Sequence, residues 1–148
     1  MKVSLYVDSE AKQVQLPTIS QLTHWSTITN YCCLRSNDYA IQFVVVTRQR
    51  MLEAQRQYKS KDYVTDVLSF PDHCTGLWYD HYRSLGEIWW CPTAFTMHTV
   101  QFLYVHSLLH LLGYQHDHPD AEHIMIKQED IIMSHLDEDT KLYKIRKL

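Results

Sequence analysis

Chain breakers are scarce in this sequence, which has only 3 glycines and 4 prolines among 148 residues. That scarcity argues against a flexible linker or a low-complexity segment. Long apolar runs are missing as well: none approaches the roughly 20 residues that a membrane-spanning helix needs. The N-terminal residues lack the charged-then-apolar order of a secretory leader. The protein is therefore expected in the cytoplasm, with no membrane partner. Basic excess is absent too, since 14 Lys and Arg face 17 Asp and Glu and the net charge is −3. That balance excludes a uniformly basic nucleic-acid-binding surface, although not local cationic clusters. The 4 cysteines, Cys32, Cys33, Cys74 and Cys91, form no CxxC pair. A ribbon-type zinc site and a thioredoxin motif are thereby excluded, and the thiols are expected to be free and mostly packed.

What the chain does have is histidine. Of 10 His, seven lie between His98 and His135. Within that region His106-Ser107-Leu108-Leu109-His110-Leu111-Leu112-Gly113-Tyr114-Gln115-His116 has the spacing HxxxHxxGxxH. A helix places His106 and His110 on one face, where both can grip one ion. Gly113 suits a left-handed helix end, after which the chain can fold back and bring His116 to the same point. Three imidazoles with an open fourth position form a catalytic zinc site, so one Zn2+ is expected on His106, His110 and His116. The spacing matches the long zinc-protease signature except where that signature has its general-base Glu. Ser107 stands there and cannot act as a base near neutral pH, so the metal cage is retained without the peptidase machinery.

Elsewhere the chain reads as alternating strands and helices. Val3–Val7 alternates apolar and polar residues, the strand period. A helix is expected from Pro17-Thr18 to about Leu34, with Ile19, Leu22, Trp25 and Ile28 at near-helical spacing. Tyr39–Val46 is a near-continuous β-branched and aromatic run, suited to a strand buried on both faces. Thr47 can cap a helix reaching about Tyr58. Val64–Phe70 and Leu85–Trp90 are the next strands, with residues 71 to 83 an irregular loop between them. The metal-bearing helix is expected to start at Pro92 or Thr93. Its stripe is Phe102, Val105, Leu109 and Leu112, with Leu108 and Leu111 on other sides. A last helix from Pro119 to about Leu136 has Ile124, Ile131 and Ile132 as core candidates, and a basic tail follows from Lys141. This order predicts a single α+β domain over residues 1 to 148. Its mixed sheet of about four strands is covered by helices, with the metal helix across one face.

Several blocks together resemble the YbeY endoribonucleases, or rRNA maturation factors. Leu109, His110, Leu111, Gly113, Tyr114 and His116 match the family's H-G-x-L-H-L-x-G-Y-D-H pattern. Thr65-Asp66-Val67-Leu68-Ser69-Phe70-Pro71 is similar to a second block, and Leu85-Gly86-Glu87-Ile88 to the family's L-G-D-I strand. Met125 and Glu129 fall where the family has a Met and a Glu. The resemblance implies a metal-dependent hydrolase that cleaves single-stranded RNA rather than DNA. Its implied work is 3′-end maturation of the small-subunit (16S) rRNA and ribosome quality control, with the small ribosomal subunit as a partner. It also implies zinc on the same three histidines. An Arg linked to catalysis precedes the second block in the family; here that position is Lys59, a point charge rather than a two-pronged fork. Further departures are Ser107 for Gly, Gln115 for Asp, Val64 for Pro, and a short segment between Cys91 and His106.

Lys59 is thus the catalytic candidate, placed to neutralise charge on a phosphate. Glu129 reads either as a partner fixing a ligating imidazole or as a salt bridge on the last helix. Asp117 reads as an orienting carboxylate or a solvated one. Asp66 reads as a cleft residue or a strand-edge hydrogen bond, His118 and His123 as surface histidines near the site, and Met125 as packing. Arg48, Arg50, Arg56, Lys59 and Lys61, with Tyr58 and Tyr63 among them, form a patch able to follow a phosphate backbone and stack bases; the tail could add a second. The alternative to an enzyme is a metal-bound, ribosome-associated factor with weak or no catalysis.

Overall fold

The computed structural model describes residues 1–11, 15–72, 78–79, 81–92 and 97–146. Strands β1 (Lys2–Val7), β2 (Tyr39–Val45), β3 (Val67–Pro71) and β5 (Tyr82–Trp90) form a mixed sheet in the order β1-β2-β5-β3. β1 and β5 flank β2 in parallel, whereas β3 runs antiparallel to β5. The register sets Val3, Leu5 and Val7 beside Ile41, Phe43 and Val45, and these beside Gly86, Ile88 and Trp90. Side chains two apart share a face, so this apolar set points to one side of the sheet. There it packs with Leu22 and Trp25 of α1 (Ile19–Cys32), Val105, Leu108 and Leu109 of α3 (Met97–Leu111), and Ile132 of α4 (Pro119–Arg146). A smaller cluster on the opposite side joins Val44, Val46, Leu68 and Cys91 to Met51 and Ala54 of α2 (Arg48–Ala54). β2 is accordingly buried on both faces except at Gln42, as its near-continuous apolar run predicts.

Local chemistry explains the element ends. Thr18 caps α1 by accepting from the Gln21 backbone N–H while the Gln21 side chain accepts from the Thr18 N–H, a reciprocal capping box. Thr47 caps α2 through the Arg50 N–H. α2 then widens into a π-type turn, Gln55–Lys59, which Ser60 closes in the left-handed region at φ 54°. This turn presents Lys59 at the mouth of the cleft described below.

Several boundaries differ from the sequence expectation. Trp78–Tyr79 is a short strand, β4, pairing antiparallel with Tyr82 and Arg83. The expected loop over 71 to 83 is therefore partly a hairpin; two adjacent aromatics suit a pleated surface. β3 begins at Val67 rather than Val64, because residues 60 to 66 are held as a loop, with the Lys61 N–H donating to the Gln55 carbonyl at 3.1 Å. The described part of α3 starts at Met97, and residues 93–96 lie outside the described residues. Phe102 is exposed, so the buried stripe of α3 runs instead through Tyr104, Val105, Leu108 and Leu109. α4 continues to Arg146 rather than stopping near Leu136, and the basic side chains of its end lie outside the described set. Its inward stripe is Met125, Glu129, Ile132 and Leu136, at helical intervals of four, three and four. Ile124 and Ile131 each precede a stripe position by one residue, roughly 100° around the helix, and are exposed. Cys32, Cys33 and Cys91 are free thiols; Cys74 is outside the described residues.

Candidate metal centre

α3 delivers two of the three histidines and its C-terminus delivers the third. Gly113, at φ 102°, ends the helix in the left-handed region. The Tyr114 N–H donates to the Leu109 carbonyl and the Gly113 N–H to the His110 carbonyl, both at 3.0 Å. That pair of bonds is a Schellman turn, and it reverses the chain towards the face bearing His106 and His110. His116 returns to that face, and one ligand nitrogen from each of the three rings lies within 4.8 Å of the others. Their ring centroids are 4.7, 5.6 and 4.6 Å apart.

The outer nitrogens of two rings are committed. His106 Nδ1 meets Glu129 Oε1 at 2.6 Å, and Glu129 is itself buried. His110 Nδ1 lies 2.9 Å from the Tyr114 carbonyl oxygen, which can only accept. Both rings therefore carry their proton on Nδ1, and Nε2 keeps a lone pair on each. Those two Nε2 atoms face one another at 3.1 Å. A shared proton or a metal ion would bridge them, and imidazole nitrogens gathered in this way are a donor set that suits a divalent transition metal. Burial lowers the pKa of His110, and His106 and His116 push the same way against the opposing bond to Tyr114. The ring is thus held in the neutral form that ligates. The residues fit a metal ion on their own chemistry.

Glu129 is thereby buried against the His106 ring, where it can orient a candidate ligand, rather than one half of a solvated salt bridge. Its replacement by Gln keeps the shape but removes the charge that holds the His106 Nδ1 proton. Zinc affinity is expected to fall about 10- to 100-fold, read by competition with a fluorescent chelator while the melting temperature of the metal-free protein stays near wild type.

A cleft of about 460 Å³ opens onto the triad. Lys59 and Lys61 line it, as do Gln55, Tyr63, Thr65, Ser69 and Gln115. No carboxylate occurs among its described lining residues. Of the expected basic patch, only these two lysines reach the cleft. Arg56 pairs with Asp62 at 2.5 Å, and Arg50 lies over the Trp89 ring at 4.7 Å and near Asp8 at 3.8 Å. Asp66 is exposed and serves the sheet through its carbonyl, which accepts from Cys91 N–H at 2.8 Å. Asp117 and His123 are exposed outside the cleft lining. His118 Nδ1 accepts from the Asp120 N–H at 3.3 Å at the start of α4. Met125 is packed in the core. Ser107 lines the cleft wall, fully buried, and no carboxylate replaces the missing peptidase base there. Sequence reasoning overlooked Thr65 and Ser69 as cleft residues. Within β3 the strand period held the signal for Ser69, since Val67, Ser69 and Pro71 alternate along the cleft, whereas Thr65 comes from the loop before the strand.

Fold and site together define a class: a mixed α+β domain whose central helix and the turn after it form a three-histidine centre capable of holding a metal. The sequence model of the family described as Endoribonuclease YbeY matches residues 6–137. A protein of Alkaliphilus metalliredigens named Endoribonuclease YbeY is 31% identical over 150 residues, covering 92% of this chain and 97% of the relative. One of Alkaliphilus oremlandii with the same name is 33% identical over 109 residues, covering 66% of this chain and 72% of its own length. The chain belongs to the YbeY family. The solution structure of TM1509 from Thermotoga maritima shares the fold, with a TM-score of 0.50 and 17% identity over 93% of each chain.

Proposed function

We propose that this protein is a zinc-dependent endoribonuclease of single-stranded RNA, acting in the cytoplasm on the 3′ end of small-subunit rRNA and in ribosome quality control. The observation that carries the reading is the composition of the cleft: two lysines and a three-histidine centre, with no carboxylate among the described lining residues. Such a surface attracts a phosphodiester and gives no general base for peptide hydrolysis. The names of the relatives support RNA as the polymer.

His106, His110 and His116 would hold the ion, which when bound supplies Lewis-acid chemistry to a phosphoryl oxygen or acidifies a water. Glu129 and the Tyr114 carbonyl keep two of the rings in the ligating tautomer. Lys59 neutralises negative charge that grows on the phosphate during displacement, and Lys61 holds the neighbouring phosphate. The hydroxyl of Thr65 lines the same wall as a donor to phosphate oxygens, while that of Ser69 donates to the Ser107 carbonyl at 3.3 Å and braces the wall against α3.

The test is cleavage of a labelled single-stranded RNA by purified protein, with duplex RNA and casein as comparisons. Expected is cleavage of the single strand alone, stopped by a chelator and restored by zinc. Lys59→Ala is expected to lower kcat about 10²-fold, the scale for losing one preorganised donor. Lys59→Arg should keep at least wild-type activity, because the fork can hold two phosphate oxygens. A second reading has one observation in its favour: Lys59 is an exposed, single-point cation. On that reading the protein is a metal-bound, ribosome-associated factor with weak or no catalysis. RNA binding without cleavage at high protein excess would select it.

A further inference from the structure

We infer that Tyr63 is a nucleobase subsite beside the metal centre, taking the flat face of an unpaired base. The inference rests on the RNA reading above and names the source of its single-strand preference. Two tyrosines sit in the cationic segment, and the structure separates them. Tyr58 turns its edge onto Phe70, ring centroids 5.5 Å apart, and does not line the cleft. Both rings are more than half exposed, Tyr58 at 60% and Tyr63 at 56%, but only Tyr63 lines the cleft.

The loop that carries the ring is anchored on both sides. Ser60 closes the π-type turn, and the Lys61 N–H donates to the Gln55 carbonyl just before Tyr63. Just after it, the Asp66 carbonyl accepts from the Cys91 N–H. Two backbone anchors, at Lys61 and Asp66, five residues apart, thus bracket the tyrosine. Lys61 places its ammonium over one face of the Tyr63 ring, 5.8 Å from the centroid, so the base is taken by the opposite face. One lysine and one aromatic ring, adjacent on the rim, match the repeat of a nucleic acid strand: a phosphate, then a base. Stacking on an aromatic ring is tolerant of sequence because every base has a π-face. In a duplex those faces are covered by neighbouring pairs, so only an unpaired nucleotide can lie on Tyr63 while its phosphate reaches the histidines.

Zinc-loaded protein is titrated into a fluorescein-labelled, nuclease-resistant phosphorothioate oligouridylate and followed by anisotropy. Tyr63→Ala is expected to bind about tenfold more weakly and Tyr63→Phe like wild type, because the ring and not the hydroxyl does the stacking. An abasic ribose-phosphate oligomer of the same length should bind wild type and Tyr63→Ala equally. In cleavage, Tyr63→Ala should raise KM with little change in kcat. Equal affinity of wild type and Tyr63→Ala for the oligouridylate overturns the subsite. So does the same loss on the abasic oligomer, which would mean that the substitution disturbs the lysines instead. Wild-type protein that binds but never cleaves defeats the nuclease reading, and the anisotropy comparison still decides Tyr63.

Discussion

His110→Ala is expected to remove bound zinc, from one ion per chain to near zero by elemental analysis, and to lower RNA cleavage roughly 10³-fold or more. His110 is the central member of the triad, since its Nε2 faces that of His106 and its ring is the nearest to His116. Without it two imidazoles remain, one from the helix and one from the turn. Two ligands cannot define the closed side of a site whose other side must stay open for substrate. The loss should come with little damage to the fold, because the half-buried ring opens onto the cleft instead of the packed core. His123→Ala is the control: His123 is exposed on α4 and outside the cleft lining, so zinc content and cleavage should match wild type. Retention of stoichiometric zinc by His110→Ala would place the ion elsewhere and remove the basis for the proposed chemistry.

Gly86→Ala is expected to be the most damaging of the small substitutions. Gly86 lies in β5 at φ 138°, next to the irregularity where β5 shifts register against β2 between Ala40 and Ile41. A Cβ there would stand 2.2 Å from the Phe70 carbonyl oxygen and 3.0 Å from both Asp72 N and Pro71 Cα. All three are backbone atoms of or beside the paired strand, so no side-chain rotation relieves the clash. The conformation is also one that residues with a Cβ rarely adopt. Relief requires separating the end of β3 from β5, which also disturbs the cleft wall carried by Ser69 and Pro71. The cost is about 4 kcal/mol or more, a large part of a typical domain's stability. Urea denaturation should show the midpoint collapsing, or the variant should not accumulate as folded protein. A variant melting within a few degrees of wild type would show that β3 does not approach Gly86 this closely.

The part of the site that was legible in the sequence is the part built from near neighbours in the chain. HxxxHxxGxxH states a helical face, its end and the return of the chain within 11 residues, and the Schellman turn at Gly113 carries it out. The α+β order was legible for the same reason: β2 is an apolar run broken only at Gln42, and Thr18 and Thr47 sit where helices begin. The inward face of α4 was less legible, because Ile124 and Ile131 are as apolar as the buried Met125 and Ile132. Only packing against α1 and α3 decides which of two adjacent stripes turns inward.

By itself the sequence determined which residues could ligate a metal, because helix geometry and a glycine turn act over a few residues. Tertiary structure alone decided what those ligands meet. It set Glu129, from a helix that begins after the motif, against His106, and it turned the Lys59 and Lys61 segment onto the triad. It also withdrew Arg50 and Arg56 into pairings of their own. Hydrogen bonds and contact ion pairs form only within a few ångströms, so such partners are chosen by how helices and strands stack, and residue order along the chain does not record that.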